Sequence, residues 1–118
     1  MNIKISTTVF PTESEEKLLN ALQKVFQIDF TIKNNQILAE TKNIDSLLLV
    51  RQKIADARIK TTVLYLLEKN KDGKNSKLEL NKQTLVKGKI HFVEEKQPLG
   101  NIVIEFDDVD AAAMYFSS

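Results

Sequence analysis

Apolar and polar residues alternate at the start of the chain, and this pattern predicts a strand. Between residues 2 and 9, Ile, Ile, Thr and Val fall on one side of an extended backbone, and polar side chains fall on the other. Pro11 ends the alternation, and Thr12 followed by Glu15 fits the capping box of a helix N-terminus. The helix that follows carries an apolar stripe at helical spacing. Its members are Leu18, Leu19, Leu22, Val25 and Phe26.

Two short apolar segments then flank a pair of asparagines. Residues 28–32 and 36–40 have strand-like composition, and Asn34-Asn35 lies between them. Asparagine tolerates the positive φ that a tight hairpin turn requires. The pattern therefore predicts a hairpin.

A longer helical pattern covers residues 44–68, but its apolar stripe changes register. The first seam comprises Leu47, Val50, Ile54 and Ala57, and the second comprises Ile59, Val63, Leu66 and Leu67. The step from Ala57 to Ile59 is about 200° around an α-helix, so one straight helix cannot turn both seams toward the same core. We therefore predict a break between Asp56 and Thr61.

The last third of the chain predicts a second hairpin. Residues 81–106 read NKQTLVKGKIHFVEEKQPLGNIVIEF, in which two alternating segments, 89–93 and 102–106, flank a Pro-Leu-Gly turn. A brief strand at residues 78–80 precedes this hairpin, and residues 109–116 predict a short terminal helix. Residues 70–76, which include Asp-Gly, predict an exposed loop.

Together these elements predict an α+β fold, namely a two-layer sandwich with a mostly antiparallel sheet and helices packed on one face. The chain of 118 residues fits a single domain spanning 1–118. The apolar phases of the elements predict the core. Its predicted members are Ile3, Ile5, Leu22, Phe26, Ile54, Leu66, Phe92, Ile102 and Ile104.

Composition narrows the class of protein. The chain is 42% hydrophobic and 28% charged, which is typical of a globular domain. It contains no Cys, so disulfides and thiolate metal sites are excluded, in keeping with a reducing cytoplasm. No apolar stretch approaches the ~20 residues that cross a bilayer. We expect a soluble, cytoplasmic protein with no membrane partner.

The net charge of +1 hides a local asymmetry. Residues 69–89 contain seven Lys against two acids, and residues 94–110 contain six acids against one Lys. Two interpretations remain open: the two runs form basic and acidic ends of the molecule, or each is an ordinary solvated surface.

Catalytic chemistry is not indicated. His91 is the only histidine and lies on the polar side of a predicted strand, where an ordinary exposed residue is the simplest interpretation. The acidic group Glu105, Asp107, Asp108 and Asp110 lacks the spacing of a calcium loop and fits a strand end or helix N-terminus better. No glycine-rich phosphate loop or nucleophile elbow is present. We therefore expect no enzyme, no catalytic residue, no metal and no cofactor.

Basic residues give the better functional hypothesis. Arg51 and Arg58 are seven residues apart on the broken helix pair, and Lys82, Lys87 and Lys89 border the final hairpin. Arginine and lysine contact phosphates through charge without reading sequence. The alternative is that these side chains only cover helices. A platform for stacking bases is disfavoured, because aromatic residues of the predicted strands lie on the apolar face.

The motifs of the C-terminal segment resemble a known family. N-K-Q at residues 81–83, the G-K-I-H-F-V-E run at 88–94 and P-L-G-N-I at 98–102 are similar to an uncharacterised archaeal family, and L-L-L-V-R-Q-K-I-A-D-A-R-I at 47–59 resembles its arginine-rich helix. The family is related to predicted exosome RNA-binding subunits. The resemblance implies a fold like that of ribosomal large-subunit protein five and an RNA-binding role. After Ile59, however, Lys-Thr-Thr replaces the further arginine usual in the family.

The leading hypothesis is a non-enzymatic domain that binds RNA phosphates through Arg51, Arg58, Lys82, Lys87 and Lys89, alone or within a protein assembly of unspecified oligomeric state. The alternative is a structural or protein-interaction module with a self-association surface and no nucleic-acid role. The first predicts a contiguous basic surface, and the second an exposed apolar strip or an open strand edge.

Overall fold

A computed structural model describes residues 1–95 and 97–118. Within these residues, five strands and five helices follow one another, with a 3₁₀ turn at Ile44–Leu47 before the second helix. In chain order, the elements are β1 (Ile3–Thr8), α1 (Glu15–Val25), β2 (Thr31–Lys33), β3 (Gln36–Thr41), α2 (Leu48–Ala57), α3 (Lys60–Lys69), β4 (Ser76–Leu80), α4 (Lys82–Val86), β5 (Ile102–Phe106) and α5 (Val109–Ser117). No helix among the described residues is long and apolar enough to cross a membrane.

The strands form one antiparallel sheet in the order β2-β3-β1-β5-β4. On β1 and β5, alternate residues are buried, and the intervening ones are half-buried or exposed. This sheet therefore has one face covered by helices and one open face. The predicted α+β sandwich is confirmed.

The core lies between the covered face and the helices. Eight of the nine predicted core residues are buried, and Phe92 is the exception because it is only half-buried. Phe106 on β5 and Phe116 on α5 meet edge to face with ring centroids 6.0 Å apart, and this contact packs the terminal helix onto the sheet.

The break in the central helical pattern is confirmed. α2 ends at Ala57, Arg58 adopts a left-handed conformation with φ of 58°, and α3 begins at Lys60. The reversal brings Val50 and Ile54 of one helix and the apolar residues of the next into the same core. The bend therefore explains why the apolar stripe of the sequence changes register between the two helices.

The first hairpin is also confirmed, with Asn34 and Asn35 at φ of 52° and 62° between β2 and β3. The predicted helix cap is wrong in detail. Ser14, rather than Thr12, accepts the hydrogen bond from the Lys17 backbone N–H, and Glu13 instead accepts one from the Phe10 backbone N–H.

The predicted second hairpin is wrong. β5 pairs with β1 and β4, and residues 91–93 run alongside β4 instead. Phe92 bridges to Leu80, and the Val93 N–H donates to the Glu79 carbonyl. An alternating segment indicates a strand-like conformation but does not choose its partner, and here the edge of β4 was available. The segment that separates β4 from residues 91–93 contains the unpredicted helix α4.

Candidate functional site

Lys82 lies inside the protein, contrary to its predicted place on a phosphate-binding surface. Its side chain is only 5% exposed, and its Nζ lies 3.0 Å from Oε1 of Glu13. The same ammonium donates to the carbonyl oxygens of Thr8 and Leu99. Three donors thus meet three acceptors, so the charge is compensated within the fold. Lys82 is therefore removed from the set of surface cations.

The two predicted arginines lie apart from the predicted lysines. Arg51 is half-buried on α2, and its guanidinium carbon lies 4.9 Å from the ring centroid of Tyr115, which is a cation–π contact with α5. Arg58 is exposed at the bend after α2. Because the helix stops before Arg58, the seven-residue spacing does not place both arginines on one continuous helix face.

Burial of the Tyr115 hydroxyl has an electrostatic consequence. The phenol oxygen is buried without a hydrogen-bond partner among the described residues. Desolvation raises the pKa of Tyr115 above its ordinary value of 10.0, because burial disfavours the charged phenolate, and the Arg51 guanidinium partly opposes this rise. Arg51 therefore links α2 to α5 through a cation–π contact with a phenol that stays protonated.

Lys87 and Lys89 are exposed at the end of α4, on either side of Gly88. Gly88 has φ of 81°, its N–H donates to the Leu85 carbonyl, and the Lys89 N–H donates to the Thr84 carbonyl. These two hydrogen bonds form a Schellman motif, which needs the left-handed residue that glycine supplies without strain. The motif holds Lys87 and Lys89 at the surface.

A groove beside this turn brings in lysines that sequence reasoning missed. It has a volume of about 390 Å³ between α1 and the end of α4. Its lining is Lys17, Asn20, Ala21, Lys24, Val86, Lys87 and Gly88. From α2, Nζ of Lys53 donates to the Gly88 carbonyl at 3.1 Å. We call this surface the α1–α4 groove: Lys17, Lys24 and Lys87 line it, Lys53 is bonded to its wall, and Lys89 follows Gly88 at its edge.

One sequence signal could have found part of this groove. Lys17 and Lys24 are seven residues apart on one unbroken helix, so they lie on the same helix face. Arg51 and Arg58 have the same seven-residue spacing, but the bend after α2 separates them. Lys53 carried no such signal, because its neighbour Gly88 is 35 residues away along the chain.

The charge of the groove is not neutralised by neighbouring acids. Among residues 1–95 and 97–118 there are three ion pairs, formed by Lys69 with Glu94, Lys77 with Glu79 and Lys82 with Glu13. None of these pairs uses a lysine of the α1–α4 groove. Lys17, Lys24 and Lys87 of the lining, and Lys53 beside it, therefore keep a positive charge at the groove that no acid in the described part of the chain pairs with.

The basic and acidic runs do not form two ends of the molecule. Lys77 in the basic run lies directly across from Glu105 in the acidic run, because β4 pairs with β5. Lys69 and Glu94 are 3.1 Å apart, and this contact raises the pKa of Lys69. The two runs therefore partly neutralise one another.

The acids after β5 have local structural roles. Asp108 caps α5 by accepting a hydrogen bond from the Ala111 N–H, and Asp107 accepts one from the Asn2 N–H at 2.7 Å. This agrees with the interpretation of these acids as residues at a helix N-terminus. No group of three or more potential metal ligands occurs within residues 1–95 and 97–118.

The open face of the sheet is a poor surface for phosphates. Cross-strand pairing places Glu40, Lys4, Glu105 and Lys77 in one row of alternating charge. A depression of about 530 Å³ at this end of the sheet has mixed charge as well. Its charged lining residues are Lys4, Asp72, Lys77, Glu105 and Asp107. The open face therefore offers phosphates a mixed row of charges, whereas the charged residues that line the α1–α4 groove are all lysines.

Comparison with known proteins identifies relatives along most of the chain. A family model described as RNA binding matches residues 2–107. A UPF0201 protein of Sulfurisphaera tokodaii is 33% identical over 119 residues, which cover 92% of this chain and 81% of that protein. A crystal structure of an uncharacterised UPF0201 protein is 29% identical, with a TM-score of 0.77, and the match covers 90% of this chain and 81% of that one.

A longer relative is also similar. A UPF0200/UPF0201 protein of Archaeoglobus fulgidus is 29% identical over 109 residues, which cover 90% of this chain but 32% of that protein. The chain thus spans about a third of the length of this relative.

Proposed function

The chain belongs to the UPF0201 family of archaea, whose family model is described as RNA binding, and we propose that it is a non-enzymatic, cytoplasmic domain that binds RNA through phosphate contacts in the α1–α4 groove. The observation that carries this proposal is that Lys17, Lys24 and Lys87 line one groove, with the Lys53 ammonium bonded to Gly88 in its wall and the exposed Lys89 next to Gly88 in the chain.

Lysine is a point charge that binds phosphate without demanding a fixed hydrogen-bond geometry. Lys17 and Lys24 are separated by about 10 Å along the axis of α1, so the row extends over more than one nucleotide. Binding would release the counterions condensed on the neutralised phosphates. Such a surface attracts the phosphate backbone of a nucleic acid without specifying a sequence.

The resemblance to predicted exosome RNA-binding subunits and to a ribosomal protein that contacts RNA supports the same class of ligand. The alternative of a self-association module has weaker support from the sheet edges. β2 has only three residues and includes Lys33, and a short, charged edge discourages pairing. Residues 91–93 partly cover the other edge, at β4.

The proposal is tested by a salt titration with paired variants. Lys87→Gln/Lys89→Gln removes two charges from the α1–α4 groove, and Arg51→Gln/Arg58→Gln removes two charges elsewhere. We expect only the first variant to weaken binding of a structured RNA. It should flatten the slope of log K against log salt by about 0.7 to 0.9 for each phosphate contact that is lost.

Binding is measured by fluorescence anisotropy from low to moderate salt, with thermal unfolding of each variant as the folding control. Equal affinities and slopes for the two double variants would contradict the assignment of the groove. Absence of binding by the wild type at low salt would contradict the RNA-binding proposal itself and would favour the interaction module.

A further inference from the structure

The α1–α4 groove continues beyond its lysines. Lys17 and Val86 also border a second depression, which extends to Gln83 and Leu99. That depression shares Gln83 and Leu99 with a pocket of about 140 Å³ at the far end. The walls of this pocket are Glu13, Asn81, Lys82, Gln83, Gln97, Pro98, Leu99 and Gly100. One furrow thus joins a basic groove to a small pocket, which we call the terminal pocket.

The terminal pocket differs chemically from the groove. Among the described residues, its charged members are Glu13 and Lys82, which neutralise one another at 3.0 Å and so offer no net charge to a ligand. The remaining polar side chains include the amides of Gln83 and Gln97, which can donate and accept hydrogen bonds. Leu99 and Pro98 supply apolar surface. A neutral ligand with polar edges and apolar faces matches this lining.

The volume limits the ligand further. A pocket of about 140 Å³ holds roughly five water molecules. Sites for drug-sized ligands are usually about 300 to 1,000 Å³, so a whole nucleotide is too large. A single purine or pyrimidine ring is planar, has apolar faces and presents donors and acceptors at its edges. A base therefore fits where a larger ligand does not.

Gly100, a lining residue, brings the chain close to Phe10. Gly100 has φ of 75°, and a Cβ placed there would come within 3.9 Å of Cε2 of Phe10 and 4.0 Å of Nζ of Lys82. Phe10 is 36% exposed, and its ring centroid lies 5.3 Å from the Lys82 ammonium. A partly exposed aromatic ring therefore lies beside the lining, where the face of a base can stack.

On the basis of the proposed function, we infer that the terminal pocket receives one unpaired base of an RNA whose flanking phosphates lie on the lysines of the α1–α4 groove. Lys17 is the link, because it borders both the groove and the depression that leads to the pocket. Bases in a perfect duplex are stacked and inaccessible, so the preferred RNA contains a bulge, a loop or an unpaired end.

The test compares three RNAs of the same stem sequence by fluorescence anisotropy. The first is a perfect stem of two blunt-ended strands without a loop, the second is the same stem with a one-nucleotide bulge, and the third has the same bulge with an abasic nucleotide. We expect the bulged RNA to bind about tenfold more tightly than either of the others, which corresponds to about 1.4 kcal/mol, because only its unpaired base can enter the pocket and stack.

Variants then locate the effect. Gln83→Ala changes an exposed side chain and Leu99→Ala shortens a half-buried one, while the Leu99 carbonyl that accepts from Lys82 is retained. Both should abolish the preference for the bulge and leave affinity for the perfect stem unchanged. Lys17→Gln should weaken binding to all three RNAs by a similar factor.

The outcomes separate this inference from the proposal on which it rests. Equal binding of the bulged and perfect stems, or tight binding of the abasic bulge, would overturn the terminal pocket as a base site and leave phosphate binding in the groove intact. A preference that persists in both pocket variants would overturn it as well. No binding to any of the three RNAs at low salt would overturn both.

Discussion

Replacement of Lys82 by methionine would remove a lysine that the fold encloses. The substitution keeps an unbranched side chain of similar length but leaves three acceptors without their donor. They are the Glu13 carboxylate and the Thr8 and Leu99 carbonyls. The Glu13 side chain is only 13% exposed, so its charge would be left largely desolvated.

The magnitude follows from this burial. Removal of one partner of a buried ion pair costs about 3 to 5 kcal/mol. A domain of this size has a total stability of about 5 to 15 kcal/mol, so the loss is a large fraction of it. At about 4 °C for each kcal/mol, the thermal midpoint should fall by about 12 to 20 °C. The Lys82→Met variant should remain folded only in a narrower range of temperature and denaturant.

The assay is urea unfolding followed by circular dichroism, with two comparisons. Lys77→Met removes a lysine whose ion pair with Glu79 spans 3.7 Å at the surface, and it should cost at most about 1 kcal/mol. Glu13→Gln retains an oxygen that can accept from the Phe10 N–H and from Lys82, so it should cost less than Lys82→Met. In the double variant, the two effects should be less than additive, because no charge is then left unpaired.

A loss of stability in Lys82→Met no larger than in Lys77→Met would refute the enclosed ion pair. The same conclusion would follow if the effects of Glu13→Gln and Lys82→Met were strictly additive, since contacting groups should show coupling.

Three further predictions test packing, backbone and burial. Phe26→Ala should destabilise by about 3 to 5 kcal/mol in chemical unfolding, and Phe92→Ala by clearly less, because Phe26 is fully buried and Phe92 is half-buried; equal losses would contradict this ranking. Arg58→Gly should raise the free energy of unfolding by about 0.5 to 1 kcal/mol, because the φ of 58° at this position suits glycine. A lower free energy of unfolding in the variant would argue against that backbone conformation. In a Tyr65→Phe variant, Tyr115 is the only tyrosine, and ultraviolet titration of the folded protein should give a pKa above 10.0. Because the folded state holds the phenol proton more tightly than the unfolded state, the contribution of Tyr115 to stability should be complete below pH 10 and lost as pH rises through the folded-state pKa.

Local sequence signals predicted the elements better than their partners. The step from Ala57 to Ile59 located the bend between α2 and α3, because a helical stripe depends only on residues within a few turns. The alternation of residues 89–93 could not reveal that they would lie beside β4 rather than β5. Strand pairing is decided by which edge is free in the assembled sheet.

The helix α4 was missed for a related reason. It contains only five residues, so no apolar stripe can develop, and its cap is the Asn81 side chain, which accepts from the Thr84 N–H. The burial of Lys82 in its first turn depends on Glu13, 69 residues earlier in the chain. Neither the composition nor the spacing around residue 82 carries information about such a distant partner.

Local sequence signals also failed to predict which lysines would stay exposed and unpaired at the candidate site. The lysine-rich run at residues 69–89 looked like a basic surface, but Lys69 pairs with Glu94, Lys77 lies across from Glu105, and Lys82 is enclosed. Only the end of that run joins the α1–α4 groove, where α1 and α2 contribute the other lysines. A chain of net charge +1 can thus hold a cationic groove, because tertiary pairing removes charge in one place and leaves it exposed in another. The salt dependence of RNA binding should therefore follow the number of groove lysines and not the net charge: charge changes on the open sheet face should leave the slope unchanged.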